Sequence, residues 1–133
     1  MRNILFLFIA VITSASAFAQ KPKPSAIVNM SSERFKATVG NDKNGVLIDL
    51  RTTEEIQKTG MITGAKQLDW TAKGSEELIK KLDKNKNYYL YCASGGRSSD
   101  AAEYMEKEGF SRIYTLQNGM TEWLNKGYPV EKK

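Results

Sequence analysis

The chain has 133 residues, a formal net charge of +5, one cysteine and no histidine. This length is sufficient for one domain with its own hydrophobic core. One cysteine cannot form an internal disulfide, and the lack of histidine excludes Cys-His and Ser-His-Asp hydrolases and histidine-based metal sites. The lysines are spread along the chain without a basic stripe of interleaved aromatics, so nucleic-acid binding is not predicted.

Residues 1–19 have the pattern of a secretory signal peptide. Arg2 precedes an apolar run over residues 4–12, and Ala17-Phe18-Ala19 matches an A-x-A cleavage site. The apolar run is too short to cross ~30 Å of hydrocarbon, which disfavours an uncleaved anchor. We therefore expect an exported protein, periplasmic or secreted, with no stable membrane insertion after cleavage. Its mature chain would begin with a Pro/Lys leader over residues 20–25.

From residue 26 to residue 133 the sequence predicts one α/β domain. Short apolar segments alternate with helical patterns, and the predicted strands cover residues 27–30, 46–50, 65–68, 88–91 and 113–116. The second of these strands is continuously apolar, which is typical of a parallel sheet covered on both faces. Thr52 and Glu55 form a capping-box pattern directly after that strand, so a helix is expected to follow at once. A strand followed directly by a helix is the unit of an α/β fold.

The chain is organised around the loop that follows the fourth predicted strand. Cys92 occupies the first loop position, Gly95 and Gly96 are expected to let the backbone turn with positive φ, and Arg97 lies where a helix begins. Loop amides and a helix N-terminus create positive potential, which favours a thiolate or a bound anion. Cys92 alone would be as well explained as a small buried hydrophobe. The combination of strand, cysteine, glycine-rich loop, arginine and helix indicates a nucleophile.

Three residues outside this loop are candidate supporting residues. Asp49 and Arg51 lie at the end of the second predicted strand, the edge where open α/β sheets hold their sites. They are either functional polar groups or an ion pair that braces the turn. Trp70 lies either at the mouth of the pocket or in the core.

Four segments resemble the rhodanese family of sulfurtransferases. VLIDLRTTEE at 46–55 is similar to the family's Asp-x-Arg signature, and CASGGRS at 92–98 resembles its active-site loop Cys-x-x-Gly-x-Arg-Ser. GMITGA at 60–65 resembles Gly-His-Ile-Pro-Gly-Ala, with Met61 and Thr63 in place of the usual His and Pro. NGMTEW at 118–123, with GYPV at 127–130, resembles the closing segment. The resemblance implies a five-stranded parallel sheet flanked by helices.

The resemblance also implies a reaction that needs no imidazole, metal or cofactor. Cys92 would take a sulfane sulfur from thiosulfate or a similar small anionic donor and pass it to a thiol or cyanide-like acceptor. The amides of Ala93 to Arg97 would cradle the anion, Arg97 would bind the donor, and Ser94 and Ser98 would add hydroxyl donors.

Three alternatives remain open from the sequence. The first is a persulfide carrier that turns over no small donor by itself. The second is a Cys-based phosphatase, although such enzymes have a loop one residue longer than Cys92 to Arg97 and need a general acid. The third is a redox protein that forms mixed disulfides. In an oxidising compartment, a thiol-reducing partner is also expected.

Overall fold

The computed structural model describes residues 10–11 and 16–132, and its first regular element begins at Ile27. Most of the expected signal peptide, residues 1–9 and 12–15, therefore lies outside the described residues. Residues 10–11 and 16–25 are exposed and have no regular secondary structure. Among the described residues, every helix is too short or too polar to cross a lipid bilayer.

Strands and helices alternate along most of the domain, as the apolar pattern predicts. In chain order the described elements are β1 (Ile27–Met30), α1 (Ser32–Asn41), β2 (Gly45–Asp49), α2 (Thr53–Thr59), β3 (Met61–Ile62), β4 (Lys66–Gln67), α3 (Ser75–Lys80), β5 (Asn87–Tyr91), α4 (Gly96–Lys107), β6 (Ile113–Leu116), α5 (Gly119–Asn125) and β7 (Val130–Glu131).

Five of the strands form one parallel sheet in the order β1-β6-β5-β2-β4. The expected α/β fold with a five-stranded parallel sheet is thus confirmed. Strand β4 is shorter than predicted, because only Lys66 and Gln67 pair with β2. Strands β2 and β5 pair along their full length, with Asp49 opposite Tyr91. Their carboxyl ends therefore place the Asp49 turn and the Cys92 loop at the same edge of the sheet.

Helices cover both faces of the sheet. Helices α1, α2 and α5 pack one face through buried Phe35, Ile56 and Trp123. Helices α3 and α4 pack the other face through Ile79 and Met105, in the apolar cluster that also contains Cys92. Full burial of an Ile, Met or Phe side chain stabilises the fold by about 1.5–3 kcal/mol.

An antiparallel ribbon of β3 and β7 was not predicted from the sequence. Met61 pairs with Glu131, and Ile62 pairs with Val130. Strands of two residues are too short to show an alternating apolar pattern. The backbone N–H of Ile62 donates to the Tyr91 hydroxyl at 2.9 Å, so this ribbon is attached to the end of β5.

Candidate active site

Cys92 is the first residue after β5 and is almost completely buried, with 1% of its surface exposed. The backbone N–H of Gly95 donates to its Sγ at 3.1 Å. The Cys92 thiol donates to Oγ of Ser98 over 3.7 Å, and the Ser98 hydroxyl donates in turn to the Gly95 carbonyl at 3.0 Å. The loop therefore folds back around the sulfur, and α4 begins beside it.

The surroundings of Cys92 favour its thiolate. Burial by itself raises the pKa of the thiol, but the backbone N–H groups of Ser98, Gly95 and Ser94 and the hydroxyl of Ser98 outweigh it. The pKa of Cys92 consequently lies below the ordinary thiol value. The hydroxyl of Ser98 can rotate toward a thiolate, whereas the exposed side chain of Ser94 makes no hydrogen bond among the described residues. Only Ser98 is therefore placed to act as the expected hydroxyl donor.

The two loop glycines have different roles. Gly95 has φ +112°, and a Cβ on it would lie 2.7 Å from the Gln117 carbonyl oxygen, so glycine is required there. Gly96 is the first residue of α4 and does not have a positive φ. A Cβ on Gly96 would meet no atom within 4 Å. The expectation of positive φ is confirmed for Gly95 and wrong for Gly96, because the helix already begins at the second glycine.

The N-terminus of α5 binds the outer side of the cysteine loop. The N–H of Met120 donates to the Cys92 carbonyl at 2.8 Å, and the N–H and Oγ1 of Thr121 both donate to the Ala93 carbonyl at 3.0 Å. These bonds fix the backbone of Cys92 and Ala93 against α5. The contact between this helix and a loop far earlier in the chain has no local signal in the sequence.

Arg97 forms a two-pronged ion pair with Glu55. Its Nη1 and Nη2 donate to Oε2 and Oε1 at 2.8 and 2.7 Å. Hydrogen bonding to Arg97 is the main cause that lowers the Glu55 pKa from 4.5 to about 2, so both groups are charged at neutral pH. Arg97 was expected to bind an anionic donor, and the structure places its guanidinium against this carboxylate. Glu55 was recognised only as a capping residue, a role it also fulfils for Thr52.

Asp49 and Arg51 form a buried brace between the sheet edge and α2. Arg51 donates from Nε and Nη2 to the Asp49 carboxylate at 2.8–3.2 Å. Two further N–H groups bind Thr59 Oγ1 and the Gly60 carbonyl, each at 2.8 Å. Because all three guanidinium nitrogens donate within the fold, the geometry favours the bracing interpretation of this pair.

Trp70 packs against α4 and does not line the space beside the cysteine loop. Its ring lies 5.8 Å from the ring of Tyr104, between centroids. It borders the apolar cluster on the α3 and α4 face of the sheet. Of the two interpretations left open for Trp70, the position favours core packing.

A cavity of about 170 Å³ lies beside the cysteine loop, between α2 and α5. Its lining combines apolar and polar side chains from α2, from α5, from the turn after β2 and from the cysteine loop: Arg51, Glu55, Lys58, Thr59, Ala93, Met120, Thr121 and Leu124. In the described part of the chain, no three acidic or cysteine side chains are grouped as metal ligands would be. The cavity borders the cysteine loop at Ala93.

This fold and loop define an α/β domain built around one activated cysteine. The family model of the rhodanese-like domain matches residues 31–126, and the chain belongs to that family. A sulfurtransferase from Allochromatium vinosum is 30% identical over 76% of this chain and 92% of its own length. The thiosulfate sulfurtransferase GlpE of Pseudomonas fluorescens is 30% identical, over 68% of this chain and 79% of its own length. A polysulfide-sulfur transferase from Wolinella succinogenes superimposes with a TM-score of 0.66 at 26% identity, over 81% of this chain and 80% of that one. These relatives support sulfur transfer as the general activity.

Proposed function

We propose that the protein takes a sulfane sulfur from thiosulfate or a similar donor, holds it as a persulfide on Cys92, and passes it to a thiophilic acceptor. The observation that carries this proposal is the set of N–H donors around Sγ, which lowers the pKa of the thiol. The thiolate is the form that attacks sulfur. The relatives that are named as sulfurtransferases support the same class of reaction.

The reaction balances without a proton donor. The Cys92 thiolate attacks the outer sulfur of thiosulfate, so a new S–S bond forms while the donor's S–S bond breaks. Sulfite leaves with the electron pair and is already an anion. A thiolate or cyanide then attacks the outer sulfur of the persulfide, and the Cys92 thiolate is regenerated. A chain without histidine can therefore perform both steps.

The loop suits a persulfide better than a bare thiolate for contact with an acceptor. Sγ itself is buried, and an S–S bond of about 2 Å places the transferred sulfur beyond it. The amides of residues 93–97 and the N-terminus of α4 would hold the charge on that outer sulfur. The loop has one residue fewer than that of a Cys-based phosphatase, which leaves less room for a tetrahedral phosphate.

Mass spectrometry after incubation with thiosulfate tests the proposal. We expect Cys92 to gain the mass of one sulfur atom, cyanide to remove it as thiocyanate, and Cys92→Ser to gain nothing. Aryl phosphate should not be hydrolysed by the same preparation. Rapid phosphate hydrolysis without sulfur uptake would replace this proposal with a phosphatase. A persulfide that forms only from a protein donor would favour the carrier alternative.

We also propose that the protein is exported and loses residues 1–19. The support is the charged, apolar and A-x-A pattern of the leader, together with a domain whose first strand begins only at Ile27. N-terminal sequencing of the native protein should begin at Gln20, and an intact Met1 would contradict export. In an oxidising compartment Cys92 would need a thiol-reducing partner, in addition to the protection that its burial provides.

A further inference from the structure

Two ion pairs lie around the cavity beside the cysteine loop. The Asp49 carboxylate engages Arg51, and the Glu55 carboxylate engages Arg97. Glu55 remains ionised at neutral pH, since its pKa is about 2. Among the described residues that line the cavity, Lys58 is the cation without an ion pair. The cavity wall therefore has about one unit of uncompensated positive charge.

The single uncompensated charge of Lys58 balances only one of the two negative charges of a thiosulfate dianion. Thiosulfate spreads two negative charges over its terminal sulfur and three oxygens, and the oxygens need hydrogen-bond donors, which a free guanidinium would supply best. Here two donors of the Arg97 guanidinium are engaged by Glu55 at 2.7 and 2.8 Å, and this carboxylate lines the same cavity. A dianion approaching the loop is repelled by Glu55 twice as strongly as a monoanion at the same place, because Coulomb energy scales with charge.

The apolar part of the wall favours a donor with a carbon skeleton. Met120 and Leu124 of α5 line the cavity together with Ala93 of the loop. The volume of about 170 Å³ is well above the ~10–15 Å³ that a single water requires. The leaving group of an organic persulfide is a thiolate on a hydrocarbon body, which such a wall can contact. Sulfite, the leaving group of thiosulfate, has no apolar part.

We propose that Glu55 is the residue that determines donor specificity, and that it selects organic persulfides with at most one negative charge over dianionic thiosulfate. This inference depends on the sulfur-transfer function proposed above. The transfer is a simple exchange: the Cys92 thiolate attacks the outer sulfur of the organic persulfide, the donor S–S bond breaks, and an organic thiolate leaves with the electron pair. Thiosulfate remains a substrate, but a slower one than the cysteine loop alone would allow.

The test compares two donors by single-turnover persulfidation of Cys92, measured as the second-order rate constant by mass spectrometry. The donors are thiosulfate and the freshly prepared persulfide of 2-mercaptoethanol. Glu55→Gln removes the charge but keeps a residue that a capping box accepts. We expect it to raise the thiosulfate rate constant about tenfold and the organic persulfide rate constant about threefold, since the repulsion scales with donor charge.

The control variant is Glu54→Gln, which removes the same charge from the neighbouring, exposed position of α2. It should change both rate constants by less than about twofold, because an exposed charge is screened by solvent and salt. If Glu55→Gln changes the rate constants for both donors by one common factor, or abolishes the reaction with both, Glu55 only positions Arg97. That result would overturn the inference.

Arg97→Gln provides an independent measurement from the other partner of the pair. It leaves the Glu55 charge uncompensated. The rate constant for thiosulfate should therefore fall by a larger factor than the rate constant for the organic persulfide. Equal slowing of the two donors would contradict a role for charge. If neither donor places sulfur on Cys92 in the unmodified protein, the proposed function itself has failed, which is a different outcome from an unchanged donor ratio.

Discussion

Gly119 lies directly against the backbone of Ala93. A Cβ on Gly119 would be 2.5 Å from the Ala93 carbonyl oxygen and 2.6 Å from the Cys92 carbonyl oxygen, and Gly119 has φ +60°. No other residue type permits both this φ and this approach without displacement of the loop. The geometry of the cysteine loop thus depends on a glycine that follows it in the chain by more than twenty residues.

Gly119→Ala should separate α5 from the loop. We expect a loss of about 3 kcal/mol in the free energy of unfolding and a rise in the Cys92 pKa, because strain and steric clash both act on the loop. Gly127→Ala is the matched control, since Gly127 has φ +66° but nothing within 4 Å of its Cβ position. The free energy of unfolding of this control should fall by only about 1–2 kcal/mol. Denaturant unfolding and the pH profile of iodoacetamide alkylation measure both effects, and equal losses would contradict the close-contact explanation.

Substitution of the two loop glycines should have opposite effects on stability. Gly95→Ala forces a side chain into a positive-φ position 2.7 Å from the Gln117 carbonyl, and we expect it to cost about 2 kcal/mol or more. Gly96→Ala lies at the start of α4 in open space and should be neutral or stabilise by up to about 1 kcal/mol. Thermal unfolding distinguishes the two variants. A Gly96→Ala protein as unstable as Gly95→Ala would show that both positions are conformationally restricted.

The hydroxyl of Ser98 should contribute to the reactivity of Cys92. Ser98→Ala removes one of the groups that lower the thiol pKa, so the midpoint of alkylation should move to higher pH. Ser94→Ala is the control in the same loop, because the exposed Ser94 contributes through its backbone N–H, which the substitution retains. An unchanged midpoint in Ser98→Ala would assign the lowered pKa to the backbone donors alone.

The Glu55–Arg97 pair should make the stability dependent on pH in an acidic window. The pKa of Glu55 is lowered from 4.5 to about 2 in the folded protein, mainly by hydrogen bonds from Arg97. The resulting stabilisation is therefore fully present above pH 4.5 and is lost as the pH falls toward 2. The free energies of unfolding of the unmodified protein and of Glu55→Gln, measured across this window, should become equal at its acidic end. A difference in stability that stays constant down to pH 2 would contradict this linkage.

The sequence was sufficient for the elements that its local patterns encode. The apolar run before Asp49 and the run before Cys92 each predicted a buried strand, and Thr52 with Glu55 predicted the start of α2. These features depend on neighbouring residues, and the structure has them with small shifts at the ends. The position of Cys92 directly after a buried strand followed from the same local pattern.

The remaining parts of the site depend on contacts between distant segments. Arg97 was assigned to a donor because nothing near it in the chain indicates that Glu55, on another helix, reaches its guanidinium. The contact of Thr121 with the Ala93 carbonyl is equally non-local. The β3 and β7 ribbon was missed because strands of two residues leave no periodic pattern. In each case the partner is determined by the topology and has no signal in a short window of sequence.

The attachment of α5 to the cysteine loop has a consequence for local unfolding. Met120 and Thr121 donate to the carbonyls of Cys92 and Ala93, so the loop loses these contacts whenever α5 separates from it. A loop released in this way would no longer direct its N–H groups at Sγ, and the pKa of Cys92 would rise toward that of an ordinary thiol. The reactivity of the cysteine is thus coupled to the docking of a helix from a distant part of the chain.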